Sequence, residues 1–252
     1  MLNQHTIDRL HQLRLAGMAN ALSEQMNNPE FQTYSFEERI GLLVDREYTF
    51  RQERRLDRLL HQAKLRIPAC LEDIDYQQKK GLDRALVRSL STCQWIESKL
   101  NVLITGPTGV GKTFLVCALG NEACRHGMST RYYRVSTLLT EMAAARGDGS
   151  YPRLIRQLSK FDLLILDDWG LSLFKDYEGH DMLEVIEERC QRTSLIIASQ
   201  LPLPNWHETL TDPTLADAIM DRIVHNSYKL EIDGDSMRRQ LGKKQKATGM
   251  TY

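Results

Sequence analysis

The chain lacks the features of secreted, disulfide-bonded, zinc-binding and membrane-spanning proteins. Its 252 residues include five cysteines, an odd number with no C-x-x-C pair, which argues against a disulfide framework and against a zinc site. No apolar run approaches the roughly 18 residues that a membrane helix needs. The opening stretch MLNQHTIDRLHQLR is too polar for a signal peptide. We therefore predict a cytoplasmic protein that has no membrane partner.

An excess of charge of one sign is also missing. Lys plus Arg and Asp plus Glu each number 33, so no overall field draws the molecule to nucleic acid or to a membrane surface. Any such affinity must be local. Two segments are candidates: residues 46–66 have seven Lys or Arg against three acids, a net charge of +4, and residues 237–252 have five basic residues and no acid.

Each of these basic segments allows two interpretations. Residues 46–66 could form a solvated helix face on which i,i+4 pairs balance part of the charge. They could equally form a surface that contacts DNA phosphates. The tail from residue 237 could be a disordered arm or a second DNA-contacting segment.

The first part of the chain has the periodicity of amphipathic helices. Apolar residues recur at helical spacing over 6–26 and predict one helix there. The segment SFEE offers Ser35 as an N-cap with a Glu three residues later, which predicts a long helix toward Arg66. A further helical stretch covers roughly 82–97. We predict a small all-α domain over residues 1–75, with a role in binding DNA or a partner.

Beyond residue 100, short apolar runs alternate with segments of helical pattern. Five runs are typical of strands: NVLIT at 101–105, TRYYRV at 130–135, DLLIL at 162–166, SLIIAS at 194–199 and SYKLEI at 227–232. The segments between the first four runs are long enough for helical crossovers, which indicates a parallel sheet with helices on both faces. The predicted fold class is α/β, with a five-stranded parallel sheet in a second domain over residues 76–252.

A glycine-rich motif, GPTGVGKT, directly follows the first predicted strand. It matches G-x-x-x-x-G-K-[ST], and a helix is expected to begin near Gly111. In this motif backbone N–H groups and the positive end of the helix dipole face phosphate oxygens. Lys112 would contact the β and γ phosphates, and the Thr113 hydroxyl would ligate Mg²⁺. The predicted nucleotide-binding residues are Gly106, Pro107, Thr108, Gly109, Val110, Gly111, Lys112, Thr113 and Phe114.

Polar residues also end the third and fourth predicted strands. Asp167 is placed to bring a carboxylate to the Mg²⁺ ion, so Thr113 and Asp167 are the predicted metal ligands. Asp168 would orient or deprotonate the attacking water. Ser199 and Gln200 would lie between these acids and the water if the fourth strand inserts between the first and third. Either could hold the γ-phosphate or the water, and the alternative is an ordinary polar strand end.

Four segments together resemble the IstB-like helper ATPases of bacterial insertion sequences, an AAA+ branch close to the DnaC-type helicase loaders. They are NVLITGPTGVGKTFLVCALGNEA, FDLLILDDWG, SLIIASQLP and LADAIMDRIVHNSYKLEIDGDSMRR. The resemblance covers nearly the whole chain. It implies an AAA+ protein that hydrolyses ATP with Mg²⁺ and forms a ring or helical homo-oligomer on double-stranded DNA. It also implies that the protein recruits or stimulates a cognate transposase.

The resemblance also implies roles for individual residues. The segments GKT, DD and SQ would be the Walker A, Walker B and sensor 1 motifs. Arg222 would be an arginine finger that acts on the nucleotide of the next subunit, and its alternative is a surface Arg that pairs with Asp221 or Asp217. Arg238 would be a sensor 2 residue that contacts the nucleotide. The implied catalytic residues are Lys112, Asp167, Asp168, Ser199, Gln200 and Arg222.

Two departures from the family pattern bear on these expectations. Asp168 stands where AAA+ proteins more often have Glu, so this side chain is one methylene shorter. Little sequence follows SMRR, which leaves little room for a helical lid. Three other functions stay open: a DnaC-like loader of a replicative helicase, a small-molecule kinase on the same phosphate loop, and a nucleotide-gated binding module that barely hydrolyses ATP.

Overall fold

The computed structural model of the chain describes residues 2–76 and 81–234. The predicted sensor 2 residue, Arg238, and the basic tail over 237–252 lie outside the described residues. Within the described part of the chain, no helix is long and apolar enough to cross a membrane.

The chain divides into two compact units, Met1–Arg58 and Leu59–Tyr252. The division falls inside a long helix, whereas the sequence predicted a boundary between residues 75 and 76. The segment after the helix packs with the second unit, because Ala69 and Ile74 belong to its hydrophobic core. The extent of the two functional domains stays a prediction.

Helices account for most of the first unit. They are α1 (Leu2–Gln12), α2 (Ala16–Asn27) and α3 (Phe36–Ala63), and α3 continues into the second unit. The single helix predicted over 6–26 is wrong. It is interrupted where Arg14 adopts a φ of 60°, a left-handed conformation that an α-helix does not contain.

The predicted start of α3 is confirmed, and it depends on a reciprocal pair of hydrogen bonds. The Glu38 N–H donates to Ser35 Oγ at 3.2 Å, and the Ser35 N–H donates to Glu38 Oε2 at 2.7 Å. This arrangement is a capping box, which satisfies two N–H groups that a helix start otherwise leaves without partners.

A buried carboxylate joins α2 to α3 within the first unit. Glu47 is only 7% exposed, and it accepts hydrogen bonds from the Met18 N–H at 3.1 Å and from Arg51 Nε at 2.7 Å. Burial works to raise the pKa of Glu47, but the hydrogen bonds from Arg51 and Met18 outweigh it and lower the pKa. The acid therefore stays charged at neutral pH.

Two short helices precede the sheet in the second unit. They are α4 (Arg84–Ser91) and α5 (Gln94–Glu97). The helical stretch predicted over 82–97 is therefore correct in type but not continuous. Cys93 interrupts it with a φ of 57°.

A five-stranded parallel sheet forms the centre of the second unit, which confirms the predicted fold class. Its strands are β1 (Asn101–Thr105), β2 (Thr130–Arg134), β3 (Leu163–Trp169), β4 (Ser194–Ser199) and β5 (Ser227–Glu231). The strand order is β2-β3-β4-β1-β5, and every neighbouring pair is parallel. Strand β4 therefore lies between β1 and β3, as the expected placement of Ser199 and Gln200 required.

Helices cover both faces of this sheet. They are α6 (Lys112–Arg125), α7 (Val135–Asp148), α8 (Tyr151–Leu158), α9 (Asp176–Arg189) and α10 (Pro213–Val224). Strand β3 shows why its apolar run is unbroken: Leu164 and Leu166 belong to one core, whereas Leu163 and Ile165 belong to the core on the opposite face. Burial of each such side chain contributes about 2 kcal/mol.

A buried arginine joins the segments that enter β3 and β4. Arg189, at the end of α9, is 1% exposed. It donates hydrogen bonds to the carbonyl oxygens of Leu158 at 2.5 Å, Phe161 at 3.0 Å and Ser194 at 2.8 Å. Burial lowers the pKa of Arg189 to about 9, so the guanidinium is still charged at neutral pH. Its three acceptors compensate for part of the cost of burying that charge.

Candidate nucleotide-binding site

The glycine-rich loop connects the carboxyl end of β1 to the amino end of α6. Gly106, Gly109 and Gly111 have φ values of 150°, 90° and 100°, which residues with a Cβ rarely adopt. Gly106 is also tightly enclosed, since a Cβ at this position would lie 2.1 Å from the Ile232 carbonyl oxygen. Val110 turns away from the loop surface and packs in the hydrophobic core. The loop therefore holds its shape through its glycines and one apolar anchor.

Lys112, the first residue of α6, reaches back across the loop. Its Nζ donates to the carbonyl oxygens of Gly106 at 2.6 Å and of Pro107 at 2.9 Å. The side chain lies in a largely enclosed position, since Lys112 is only 7% exposed. An ammonium group within the curve of a glycine loop can exchange these carbonyl contacts for phosphate oxygens.

Asp167 accepts three hydrogen bonds at the end of β3. Thr113 Oγ1 and the Tyr132 hydroxyl both donate to Oδ2 at 2.8 Å, and the Asp168 N–H donates to Oδ1 at 3.0 Å. The carboxylate is 1% exposed, and three donors offset much of the cost of burying it. Burial, with the nearby Asp167 charge, raises the pKa of Tyr132, so its phenol keeps its proton and acts as the donor.

The residues around Thr113 and Asp167 fit a Mg²⁺ ion. Both side chains offer oxygen atoms, the ligand type that Mg²⁺ prefers, and a P-loop site typically adds phosphate and water oxygens. The Thr113 hydroxyl donates a hydrogen bond to Asp167. The lone pairs of the Thr113 oxygen therefore stay available to a cation. The described residues contain no cluster of three or more His, Cys, Asp or Glu that could hold a metal ion by themselves.

A β-bulge separates the two neighbouring acids. Leu166 pairs with Ile197 and Trp169 pairs with Ser199, so β3 has one more residue than β4 between these two pairs. Asp168 lies in this bulge with a φ of 64°. Consecutive side chains of a regular strand point to opposite faces of a sheet, and a bulge redirects them. The Asp168 side chain therefore lines the same cavity as Lys112 and Thr113.

Two arginines contact Asp168, and neither was among the predicted site residues. Arg134 Nε donates to Asp168 Oδ2 at 3.2 Å, and an Arg66 terminal nitrogen lies 3.8 Å from the same oxygen. A sequence signal existed for Arg134, which ends β2 and pairs in register with Asp167. No such signal existed for Arg66, because it belongs to no strand and lies far from the acids in the sequence. Tyr132 was also missed.

The two predicted sensor 1 residues differ in their surroundings. Ser199 is fully buried, and its hydroxyl donates to the Trp169 carbonyl oxygen at 2.7 Å and accepts from the Leu201 N–H at 3.0 Å. Gln200 lines the nucleotide cavity, and its Oε1 accepts a hydrogen bond from Thr108 Oγ1 at 2.5 Å. Of the two side chains, only Gln200 reaches the cavity, which has a volume of 490 Å³.

Arg222 does not reach the nucleotide cavity of its own chain. It lines a separate cavity of 550 Å³ that also contains residues at the amino ends of β1 and β4, at the opposite edge of the sheet from the glycine loop. Its guanidinium donates to the Ala218 carbonyl oxygen at 2.8 Å and to Glu187 Oε1 at 2.7 Å. Its ion-pair partner is thus Glu187, whereas Asp221 and Asp217 pair with histidines.

The fold and the site define the class of this protein. A parallel sheet of order β2-β3-β4-β1-β5, a phosphate loop after β1 and acids at the end of β3 are the features of an AAA+ P-loop ATPase. Two solved structures share the fold. A DnaI crystal structure superposes with a TM-score of 0.57 at 21% identity, over 70% of this chain and 93% of that one. AMPPCP-bound DnaA from Aquifex aeolicus gives 0.56 at 21% identity, over 75% and 58%.

The family follows from sequence comparison. The model for IstB-like ATP binding proteins matches residues 8–247. An insertion sequence ATP-binding protein of Sinorhizobium fredii is 48% identical over 244 residues, which are 97% of this chain and 100% of that protein. One from Pseudomonas fluorescens is 51% identical over 203 residues, covering 80% and 88%. The chain belongs to the IstB-like ATP-binding protein family, which confirms the resemblance inferred from its motifs.

The enclosure of Gly106 generates the first testable prediction. A Gly106→Ala variant should destabilise the protein by about 3 kcal/mol, because its Cβ would collide with a backbone oxygen in a strained conformation. It should also lose nucleotide affinity. Gly147→Ala is the control, since a Cβ there meets nothing within 4 Å. Urea unfolding and titration with a fluorescent ATP analogue test both variants, and wild-type affinity in Gly106→Ala would contradict the loop geometry.

Proposed function

We propose that the chain is the ATP-dependent helper of a bacterial insertion sequence. It binds ATP and Mg²⁺ in the glycine loop, assembles as a homo-oligomer on double-stranded DNA, and recruits or stimulates the cognate transposase. The observation that carries the ATP-binding part is the contact between the Thr113 hydroxyl and the Asp167 carboxylate beside Lys112. The insertion-sequence part is supported by the similarity to insertion sequence ATP-binding proteins over 97% and 80% of the chain.

The residues of the site have separate tasks in ATP hydrolysis. Lys112 exchanges the loop carbonyls for β and γ phosphate oxygens, and loop N–H groups with the helix dipole of α6 bind the remaining phosphate charge. A Mg²⁺ ion held by Thr113 and Asp167 would neutralise part of the charge on these phosphates. Asp168 orients the attacking water and accepts its proton as the bond from the γ-phosphorus to ADP breaks. Gln200 contacts the γ-phosphate or that water.

A second subunit completes this site. Arg222 lies at the amino ends of β1 and β4, whereas the glycine loop follows the carboxyl end of β1. The arginine therefore cannot serve the nucleotide bound by its own chain without a rearrangement of the fold. Placed against a neighbouring chain, the same guanidinium can stabilise charge that develops on the γ-phosphate. ATP then lies between two subunits of a ring or helical assembly.

Mixing two inactive variants tests the contribution of the second subunit. Lys112→Ala should lose ATP binding, whereas Arg222→Ala should bind ATP and lose hydrolysis by roughly a thousandfold. The mixture should recover activity, because a Lys112→Ala subunit supplies Arg222 to the intact loop of an Arg222→Ala subunit. Phosphate release measures hydrolysis.

The control for this mixing experiment is Glu187→Gln. It removes the ion-pair partner of Arg222 and keeps the guanidinium, so hydrolysis should persist. Normal hydrolysis by Arg222→Ala alone, or a mixture no more active than its two components, would refute an arginine supplied in trans.

The basic face of α3 supports the proposed contact with DNA. Five arginines on the part of α3 that belongs to the first unit are exposed, namely Arg46, Arg51, Arg54, Arg55 and Arg58, whereas Arg39 is half-buried and donates a hydrogen bond to Gln25. One of the i,i+4 pairs expected for a solvated helix face is present, between Arg51 and Glu47. The Arg54 guanidinium also lies over the Phe50 ring, and the distance from Arg54 Cζ to the ring centroid is 5.7 Å. The guanidinium groups are thus accessible to duplex phosphates.

Salt titration of duplex DNA binding tests this basic face. With ATP present, affinity should fall steeply between about 50 and about 200 mM salt, because each phosphate contact releases condensed counterions. An Arg54→Gln, Arg58→Gln double variant should bind more weakly and with a slope reduced by about 2. Glu53→Gln, on the same helix, should not weaken binding. An affinity that stays flat with salt would exclude the assignment.

A pull-down distinguishes the proposed partner from that of the alternative function. The alternative is a DnaC-like loader of a replicative helicase, which the likeness to DnaI supports at the level of fold alone. The chain with ATP and DNA should retain the transposase encoded beside it and should not retain a replicative helicase. Lys112→Ala is the control that separates nucleotide-dependent retention from adhesion. Retention of the helicase alone would favour the loader.

Phosphoryl transfer to a small metabolite would favour a kinase.

A further inference from the structure

Asp168 is held from two directions by arginines that belong to different parts of the second unit. Arg134 ends β2 and donates its Nε–H to Asp168 Oδ2 at 3.2 Å. Arg66 follows α3, and its terminal nitrogen lies 3.8 Å from the same Oδ2. The other oxygen, Oδ1, accepts no hydrogen bond from any residue in the described ranges. The carboxylate thus has one oxygen held by two cations and one oxygen available.

This hold matters because of where the bulge places the Asp168 side chain. The residue leaves the regular strand ladder, so neighbouring strands do not fix its direction. Its side chain has two rotatable bonds, and a water-orienting carboxylate must keep one direction. Arginine presents a planar fork of N–H donors that suits a carboxylate. The hydrogen bond from Arg134 and the charge of Arg66, both on Oδ2, therefore restrict where Oδ1 points.

Arg66 is also connected to the other acid of the site. The neighbouring Tyr132, followed by the charges of Asp168 and Asp167, raises the pKa of Arg66 above its usual value. Tyr132 in turn donates its hydroxyl hydrogen to Asp167. Arg66 therefore pairs with the predicted base and also interacts electrostatically with the residues that surround the predicted metal ligand.

The arginines could instead bind the γ-phosphate directly, because Arg66 and Arg134 line the same cavity as Lys112. The contacts favour a role through the acid. Both guanidinium groups lie against Asp168 Oδ2, and Arg134 is within hydrogen-bond distance of it. If Arg134 turned its Nε–H to a phosphate, it would release the carboxylate that the site needs.

We propose that Arg66 and Arg134 are positioning residues for Asp168. They hold Oδ2 so that Oδ1 faces the water that attacks the γ-phosphate, and this role rests on the proposed hydrolytic function of Asp168. Only Lys64 and Leu65 separate Arg66 from the last residue of α3. A displacement of that helix end, which belongs to the second unit, would alter the hold on Asp168 and thereby hydrolysis.

The contact is first tested without nucleotide. Thermal unfolding is measured for Asp168→Asn, for Arg66→Gln and Arg134→Gln, and for each combined with Asp168→Asn. The Tm loss of each combined variant should be smaller than the sum of its single losses, because both substitutions remove the same contact. Arg153→Gln, an exposed arginine on α8, should give additive losses with Asp168→Asn. Additive losses for both Arg66 and Arg134 would overturn the proposal.

The role is then tested with ADP, Mg²⁺ and aluminium fluoride, which together mimic the transition state. Arg66→Gln and Arg134→Gln should each weaken binding of this mimic and lower kcat by about tenfold, with ATP affinity changed less than about twofold. In the Asp168→Asn background the same substitutions should weaken mimic binding no further. Arg66→Lys and Arg134→Lys should recover part of the loss, since they restore the charge.

Three results would count against the positioning role. ATP affinity reduced tenfold or more would assign the arginines to phosphate binding. Losses of mimic affinity that multiply in the Asp168→Asn background would show that the arginines act independently of the acid. If the wild type hydrolyses ATP and the Arg66 and Arg134 variants hydrolyse it equally fast, the positioning role alone is overturned. If the wild type does not hydrolyse ATP, the hydrolytic function on which the positioning role rests is removed.

Discussion

The hydrogen bond between the Thr113 hydroxyl and the Asp167 carboxylate joins the two halves of the site. One partner belongs to the helix after the glycine loop and the other to the end of β3, so the contact depends on the order of strands. With β4 between β1 and β3, the carboxyl ends of all three strands meet at one edge of the sheet. The apolar cores on both faces keep that order, because each strand is buried from both sides.

The β-bulge at Asp168 lets two consecutive acids serve one site. A left-handed conformation at a residue with a side chain costs about 1–3 kcal/mol and persists only where the surroundings impose it. Here the surroundings are the pairing of Trp169 with Ser199 beyond the bulge and the hydrogen bond from the Asp168 N–H to Asp167. The strain is concentrated at the residue proposed to act on water, where a redirected side chain is useful.

The proposed reaction uses both edges of the sheet. Phosphate binding and the acids lie at the carboxyl edge, whereas Arg222 lies at the amino edge, paired with Glu187. Such a division would make hydrolysis depend on assembly, because each chain would provide a loop for its own nucleotide and an arginine for that of a neighbour. The hold of Arg66 on Asp168 would add a second control from the segment that follows α3. Together they would let assembly on DNA determine when ATP is hydrolysed.

The sequence by itself determined the fold class, the five strands and the glycine loop, because local patterns encode all of these, and it selected Lys112, Thr113 and Asp167 as candidate site residues. It failed at Arg14 and Cys93, where single left-handed residues interrupt helices whose apolar periodicity continues. Only the tertiary structure decided that Ser199 is buried while Gln200 reaches the cavity, and that Arg66, Tyr132 and Arg134 surround the acids. These contacts join residues far apart in the chain, and their side chains meet only after the strands have been ordered and packed.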